Sequence, residues 1–329
     1  MIPVEKQALV KKALQTAFNV DDFDHIEQLT KGLSSALIFK ITIKEKPYLL
    51  RVVMRTDAIG DPSYYYGCMK QAAEKNLAPA IHYMSIEDRI SVTDFIIEKP
   101  FSIEEAKVQL PKLLQTLHSL PNFPFRMNYF EAMERFIPMF NAGKFLPENE
   151  AGELFEIYRR IISKYPINDV ENWVSCHNDS KPENIIFDGQ KPWFVDWEAA
   201  FLNDRYLDLA VVANFIVMNE KDEEDYLKTY FNQPADDYQR ARFFIMQIIL
   251  HLNYFVVLLA FTKDPQPLSI TPMPTHNFRE FHNGMWNGAI SLANNESKRE
   301  YALLHLEHFR SKTRSPGFEE ALKIISKRK

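Results

Sequence analysis

Cysteine is almost missing from this chain. Cys68 and Cys176 are the only two in 329 residues, which argues against a disulfide framework, sets aside a thiolate metal site and suits a reducing compartment. Excess positive charge is missing as well. The 39 Lys and Arg against 44 Asp and Glu give a net charge of -5, so there is no basic footprint for nucleic acid, and the imbalance is too mild to name a cationic partner. The opening MIPVEKQALVKKALQTAF has neither the apolar h-region nor the small-residue cleavage site of a signal peptide. Its charges are spread as on an amphipathic helix, and the expected location is the cytoplasm. The sequence shows no internal repeat and no low-complexity stretch.

What is present is the composition of a soluble globular protein, 46% apolar, 13% aromatic and 25% charged. The length suits one large two-lobed domain or two ordinary ones. One run tests this reading: FFIMQIILHLNYFVVLLAF, Phe243 to Phe261, is long enough to span a bilayer. Gln247, His251 and Asn253 mark a polar stripe on it, so it is expected to be a buried core helix, with no membrane insertion.

The first part of the chain is expected to be mostly strand. IEQLT leads into KGLSS; ALIFKITI and YLLRVVM are β-rich runs joined through KEKP as a hairpin. A helical YYYGCMKQAAEKN is followed by strands in LAPAIHYMS and RISVTDFII. From about residue 101 the periodicity turns helical, with Leu113, Leu114, Leu117 and Leu120 on one face and Leu154, Ile157, Ile161 and Ile162 on another. DLAVVANFIVM, DEEDYLKTYF, FREFHNGMWNGAI and EEALKIISK also read as helices, and LPNFPF and DPQPLSITPMPT as loops.

Between the helical segments stands CHNDSKPENIIF, residues 176 to 187, and shortly after it FVDWE, Phe194 to Glu198. Two acids, an amide and a cation at this spacing match the needs of phosphoryl transfer, which is mostly positioning and charge neutralisation. Asp179 would meet the attacking hydroxyl; Asn184 and Asp196, as hard oxygen donors, would hold magnesium. Lys181 would neutralise the transferring group, and His177 would orient the loop through hydrogen bonds to backbone or to Asp196.

HNDSKPEN, then FVDWE, then NDRYLDLA resembles the choline kinase and aminoglycoside phosphotransferase group of kinase-like enzymes. The pattern H-x-D-x-x-x-x-N, an apolar pair with D, and D-L-A is met at His177, Asp179, Asn184, Asp196 and Asp208. The family's L-x-x-L-H helix end is met in LLQTLHSL and its G-x-a-P in NLAPAIHY. The resemblance implies an α+β, two-lobed protein-kinase-like fold, with a small β-rich nucleotide-binding lobe over 1–93, a hinge over 94–100 and a larger helical catalytic and acceptor-binding lobe over 101–329. It implies ATP and Mg2+ as cofactors. Gly32, Ser34 and Ser35 would form the loop over the phosphates, Arg51 would contact those phosphates, and Asp94, Phe95 and Ile96 would receive the adenine. Family members usually have a glutamate, at a set distance before the G-x-a-P proline, that pairs with the basic strand residue; here that register holds Tyr65, and the nearby Glu74 and Asp61 are out of register, which leaves the partner of Arg51 open. FVDWE in place of D-F-G, with no room for an activation loop before Asp208, speaks against a protein kinase.

HND and DWE followed by ND are closer to the choline and ethanolamine kinases than to the aminoglycoside branch. A small-molecule hydroxyl is the expected acceptor, with Glu198, Tyr254 and Trp286 as its candidate contacts. An aminoglycoside or other small-metabolite acceptor is the alternative, and a catalytically silent kinase-like binding protein a further one.

Overall fold

The computed structural model describes residues 2–29, 36–57, 60–262, 265–268 and 274–328. The chain opens with α1 (Val4–Phe18), β1 (His25–Leu29), β2 (Leu37–Ile43), β3 (Lys46–Val52), α2 (Tyr66–Glu74), β4 (Ile81–Ser85) and β5 (Ile90–Asp94). It continues with α3 (Ile103–His118), α4 (Tyr129–Ala142), α5 (Glu148–Lys164), β6 (Trp173–Cys176), β7 (Ile185–Phe187), β8 (Pro192–Phe194) and β9 (Phe201–Asp204). Six helices close it: α6 (Arg205–Ile216), α7 (Glu220–Phe231), α8 (Asp237–Ala260), α9 (Phe278–Trp286), α10 (Asn295–Thr313) and α11 (Pro316–Ile325). These elements form two compact units. One holds residues 1–102, 120–124 and 183–201; the other holds 103–119, 125–182 and 202–329.

The β-rich unit is built on an antiparallel sheet in the order β1-β2-β3-β5-β4. Lys44 and Glu45 both take positive φ, 50° and 66°, in the two-residue turn between β2 and β3. Such a turn follows the right-handed twist of the paired strands, which explains why KEKP makes a tight hairpin. Val10, Ala13 and Leu14 of α1 pack with Phe39, Ile41, Ile43, Leu50, Val52, Ile90 and Val92 on one face of the sheet. Because side chains alternate along a strand, Arg51, between Leu50 and Val52, points to the other face. Glu183–Phe201, which lies far along the sequence, belongs to this unit. Phe194 N–H donates to Leu77 O at 2.8 Å, Lys99 N–H to Phe187 O at 2.7 Å, and Phe101 stacks on Phe187 at 4.4 Å.

The helical unit is organised around α8. By length and hydropathy α8 would pass as a membrane span, yet most of it is buried, packed against α10, α11, α6 and α4. The apolar run from Phe243 therefore lies in a mostly buried core helix as far as Ala260, while Phe261, just beyond the helix, is exposed. Arg242 near its start is fully buried and held by Asp169 and Asp204, with the Tyr165 hydroxyl 3.3 Å away. From Tyr206 to Ile216 every residue of α6 is buried, as befits a helix apolar on all sides. Asp208 is the carboxylate within it.

Candidate active site

In the helical unit β6 ends at Cys176 and the chain turns at Asn178, whose φ is 64°. That left-handed conformation is costly for most L residues and tolerable for Asn, which accounts for Asn between His177 and Asp179. Buried Asp208 fixes the turn. His177 N–H donates to its Oδ2 at 2.8 Å, Asn178 N–H to its Oδ1 at 2.7 Å, and the Ser180 hydroxyl to Oδ1 at 3.3 Å. His118, ending α3, places Nε2 3.2 Å from Asp208 Oδ2 and Nδ1 2.6 Å from the Tyr230 hydroxyl. A carboxylate only accepts, so Nε2 carries the proton and the tyrosine donates to Nδ1.

Burial works to raise the Asp208 carboxyl, but the His118 hydrogen bond and the nearby His177 hold it below its ordinary value. Burial prevails at His118 and lowers it, which keeps the imidazole neutral beside a carboxylate. Cys176 joins them, its thiol 4.0 Å from His118 Nε2 and donating to Asn203 O at 3.5 Å. His118, Cys176 and Asp208 have the side chains of a metal centre, but burial pushes the thiol well up and the Asp208 oxygens already take four donors. The cluster is a hydrogen-bonded anchor. From the other side Asn203 Nδ2 donates to Asn178 Oδ1 at 2.8 Å. On the loop so fixed, Asp179 and Lys181 keep side-chain exposures of 33% and 24%, with Nζ 2.9 Å from Oδ2. His177 is fully buried.

In the β-rich unit β7 and β8 pair with Ile185 opposite Phe194, and Val195 N–H donates to Asn184 O at 3.0 Å. This register sets Asn184 beside Val195, so Asp196 comes one residue later at the same end of the hairpin. Asp196 has φ 60° and ψ 69°, a strained conformation for a residue other than glycine. Arg51 stands between Ile38 of β2 and Ser91 of β5. Its guanidinium lies 3.2 Å from Asp196 Oδ1 and hydrogen-bonds Glu198 Oε1, with the Tyr65 hydroxyl against it. Burial alone disfavours its charge, but Asp196, Glu198 and Tyr65 hold the guanidinium more firmly protonated than usual. Burial raises the Tyr65 phenol, so that side chain stays neutral. The carboxylates beside Arg51 are thus Asp196 and Glu198, not one on α2.

The structure places the remaining expected residues as follows. Asp94 ends β5 opposite Tyr48, and its carboxylate is 2.7 Å from His82 Nε2. The ring of Phe95 lies 5.0 Å from Lys40 Nζ, and Ile96 is half-buried. Tyr254 stacks on His305 at 4.7 Å, and Trp286 is half-buried at the end of α9. Gly32, Ser34 and Ser35 lie outside the described residues. The roles of Asp208, His118, Tyr230 and Asn203 had not been assigned. A carboxylate inside an apolar helix was the signal for the first, and its match to D-L-A was already visible.

A small antiparallel sheet with its helices, joined in one chain to a larger helical unit that carries the H-N-D loop, makes a protein-kinase-like fold. The family model described as the phosphotransferase enzyme family (APH) matches residues 25–244, and the chain belongs to that family. In sequence it is 34% identical over 131 residues to a "Protein LicA homolog" of Metamycoplasma hominis, a match covering 35% of this chain and 50% of that one. The chain thus spans about half the length of that relative. Among solved structures, a choline/ethanolamine kinase family protein from Mesorhizobium loti aligns with a TM-score of 0.68 and 18% identity, over 98% of this chain and 99% of the other. The choline kinase LicA from Streptococcus pneumoniae aligns at 0.62 and 17%, over 93% and 99%. At these identities the likeness is one of fold.

Proposed function

We propose that this protein is an ATP-dependent O-phosphotransferase that moves the γ-phosphate of ATP to the hydroxyl of a small amino alcohol, choline or ethanolamine, in the cytoplasm. The observation that carries the reading is the H-N-D loop. Its backbone is locked on buried Asp208, and it leaves one carboxylate, Asp179, part-exposed beside a cation. In this reading Asp179 accepts the hydroxyl proton as the oxygen attacks, and Lys181 offsets charge on the phosphoryl group. His177 and Asp208 are positioning residues. Arg51 and the loop with Gly32, Ser34 and Ser35 hold the phosphates, and Asp94 to Ile96 receive the adenine within the hinge 94–100, between a nucleotide lobe over 1–93 and a catalytic lobe over 101–329.

Asn184 and Asp196 are hard oxygen donors placed at one hairpin end, and Asp196 is 29% exposed; they fit magnesium, which prefers such ligands and keeps several waters. When bound, the ion would neutralise charge on the nucleotide phosphates. Tyr254 and Trp286 remain the proposed contacts of the acceptor, whereas the third candidate, Glu198, has its carboxylate on Arg51. Support for the amino alcohol comes from HND and DWE and from the choline/ethanolamine kinase named among the structural neighbours. The silent alternative rested on Tyr65 in the glutamate register; with Glu198 and Asp196 beside Arg51, that ground weakens.

The test is magnesium-dependent ADP release from ATP over a panel of choline, ethanolamine, aminoglycosides and simple sugars, with Asp179→Ala as the blank. Turnover on choline or ethanolamine that vanishes in the variant is expected. Turnover confined to an aminoglycoside would move the acceptor, and no turnover on any member would sink the enzymatic reading for this panel.

A further inference from the structure

A buried guanidinium needs a counter-charge, because removing an ion from water costs several kcal/mol unless it is paired. Arg51 has a side-chain exposure of 11% and is fixed in the middle of a sheet, so it cannot swing out to find one. Around the start of α2, Tyr65 and Tyr66 lie beside it, both almost fully buried. Both phenols are neutral, so neither supplies the charge. The charge comes from Asp196 and Glu198, two residues apart on the segment that follows β8.

The two carboxylates are not equivalent. Asp196 takes a strained left-handed backbone next to Asn184 and belongs to the oxygen pair that fits a divalent cation. An oxygen engaged by such a cation is no longer fully available to a guanidinium. Glu198 sits in a short 3-10 turn, Trp197–Ala199, fixed by buried Trp197 packed against Phe123 and Phe194. It is the carboxylate that stays with Arg51 when Asp196 is otherwise occupied.

We infer that Glu198 is the positioning residue of Arg51, performing from the strand-following turn the anchoring that no carboxylate on α2 can perform here, and that Tyr65 fills the space such a carboxylate would take. Glu198 acts through Arg51 rather than on the acceptor. The inference rests on the reading of this unit as the nucleotide-binding one, and it makes that reading specific: nucleotide affinity depends on Glu198, and more so when magnesium is present, because Asp196 then no longer shares Arg51.

The experiment is titration calorimetry of ATP and ADP, with and without magnesium, on wild type, Glu198→Gln, Tyr65→Glu and the double variant, with circular dichroism and thermal melts as controls for folding. Loss of a charge-assisted hydrogen bond predicts that E198Q weakens MgATP binding by about tenfold or more, and ATP without metal by less. Tyr65→Glu in the E198Q background restores a carboxylate beside Arg51 and is expected to recover most of the loss, a rescue that a merely structural Glu198 would not give. Should E198Q not fold, Glu198→Asp carries the same test, with a smaller loss and the same rescue. Wild-type binding with E198Q equal to it, or with no rescue in the double variant, overturns the inference and leaves the phosphotransferase reading standing. No nucleotide binding by wild type overturns both.

Discussion

Acidification to about pH 5 is expected to remove a large part of the stability of the helical unit through three histidines. His251 of α8, His282 of α9 and His305 of α10 are almost completely buried. His251 Nδ1 faces His305 Nδ1 at 2.8 Å, a contact with room for one proton, so one ring donates and the other accepts. His282 Nδ1–H donates to Phe278 O at 2.7 Å, and its Nε2 accepts from the Tyr301 hydroxyl at 2.9 Å. Burial lowers all three, reinforced by Lys312 and His308 at His251, by Arg279 at His282 and by His251 at His305; His282 comes down to about 3. The folded values lie below the unfolded one of about 6.5, so on acidification the unfolded chain takes up protons first. Stability is whole above about pH 6.5 and declines from there towards the folded values. At pH 5 His282, with its folded value of about 3, costs about 2 kcal/mol, and His251 and His305 add losses of the same sign, against a total of about 5–15 kcal/mol for an ordinary domain. Urea unfolding followed by circular dichroism at pH 7.5, 6 and 5, at fixed ionic strength, measures it. The double variant His251→Leu, His305→Leu removes both partners and leaves no orphaned polar atom, so the share of the pH dependence carried by this pair is expected to vanish while that of His282 and His118 stays. An unfolding free energy that changes by less than about 1 kcal/mol between pH 7.5 and 5 refutes the reasoning.

Asp208→Asn sets an amide among donors that need an acceptor; a loss of about 3 kcal/mol is expected, with loss of turnover although Asp208 is assigned no contact with substrate, and a thermal melt with activity assay checks both. Arg242→Met leaves Asp169 and Asp204 without their buried cation; urea unfolding is expected to show about 3–5 kcal/mol lost, and a change under about 1 kcal/mol would contradict the network's role. At Asn178, with φ 64°, Gly is expected to be tolerated and Val to cost about 1–2 kcal/mol by differential scanning calorimetry.

Much of the β-rich unit was legible because alternation and turn chemistry are local. ALIFKITI, KEKP and YLLRVVM became β2, the turn and β3 with only end residues moved. Helix faces were read less well: α5 buries Leu154, Phe155, Tyr158 and Ile161, rotated from the face through Ile157 and Ile162, because aromatic residues were passed over in favour of aliphatic ones. α4, with Pro138 inside it, was not anticipated. The site motif was plain in Asp179, Asn184 and Asp196, whose spacing is short. The partner of Arg51 was not, because Glu198 is 147 residues away and only the pairing of distant segments brings it there. The same holds for Asp208 and the loop it anchors.

That the β-rich unit draws on residues 1–102, 120–124 and 183–201 has a consequence for biosynthesis. Its sheet is encoded early, but the hairpin of β7 and β8, Trp197, and the acids that neutralise Arg51 leave the ribosome only after the first helices of the other unit. The nascent sheet therefore waits with a buried-type arginine uncompensated and part of its surface uncovered, through roughly ten seconds of elongation at typical rates. Native contacts of such long sequence separation also slow folding. Truncation after residue 102 is expected to yield an aggregating fragment rather than an autonomous nucleotide-binding module, so the early part of this protein depends on a segment encoded far downstream to finish folding.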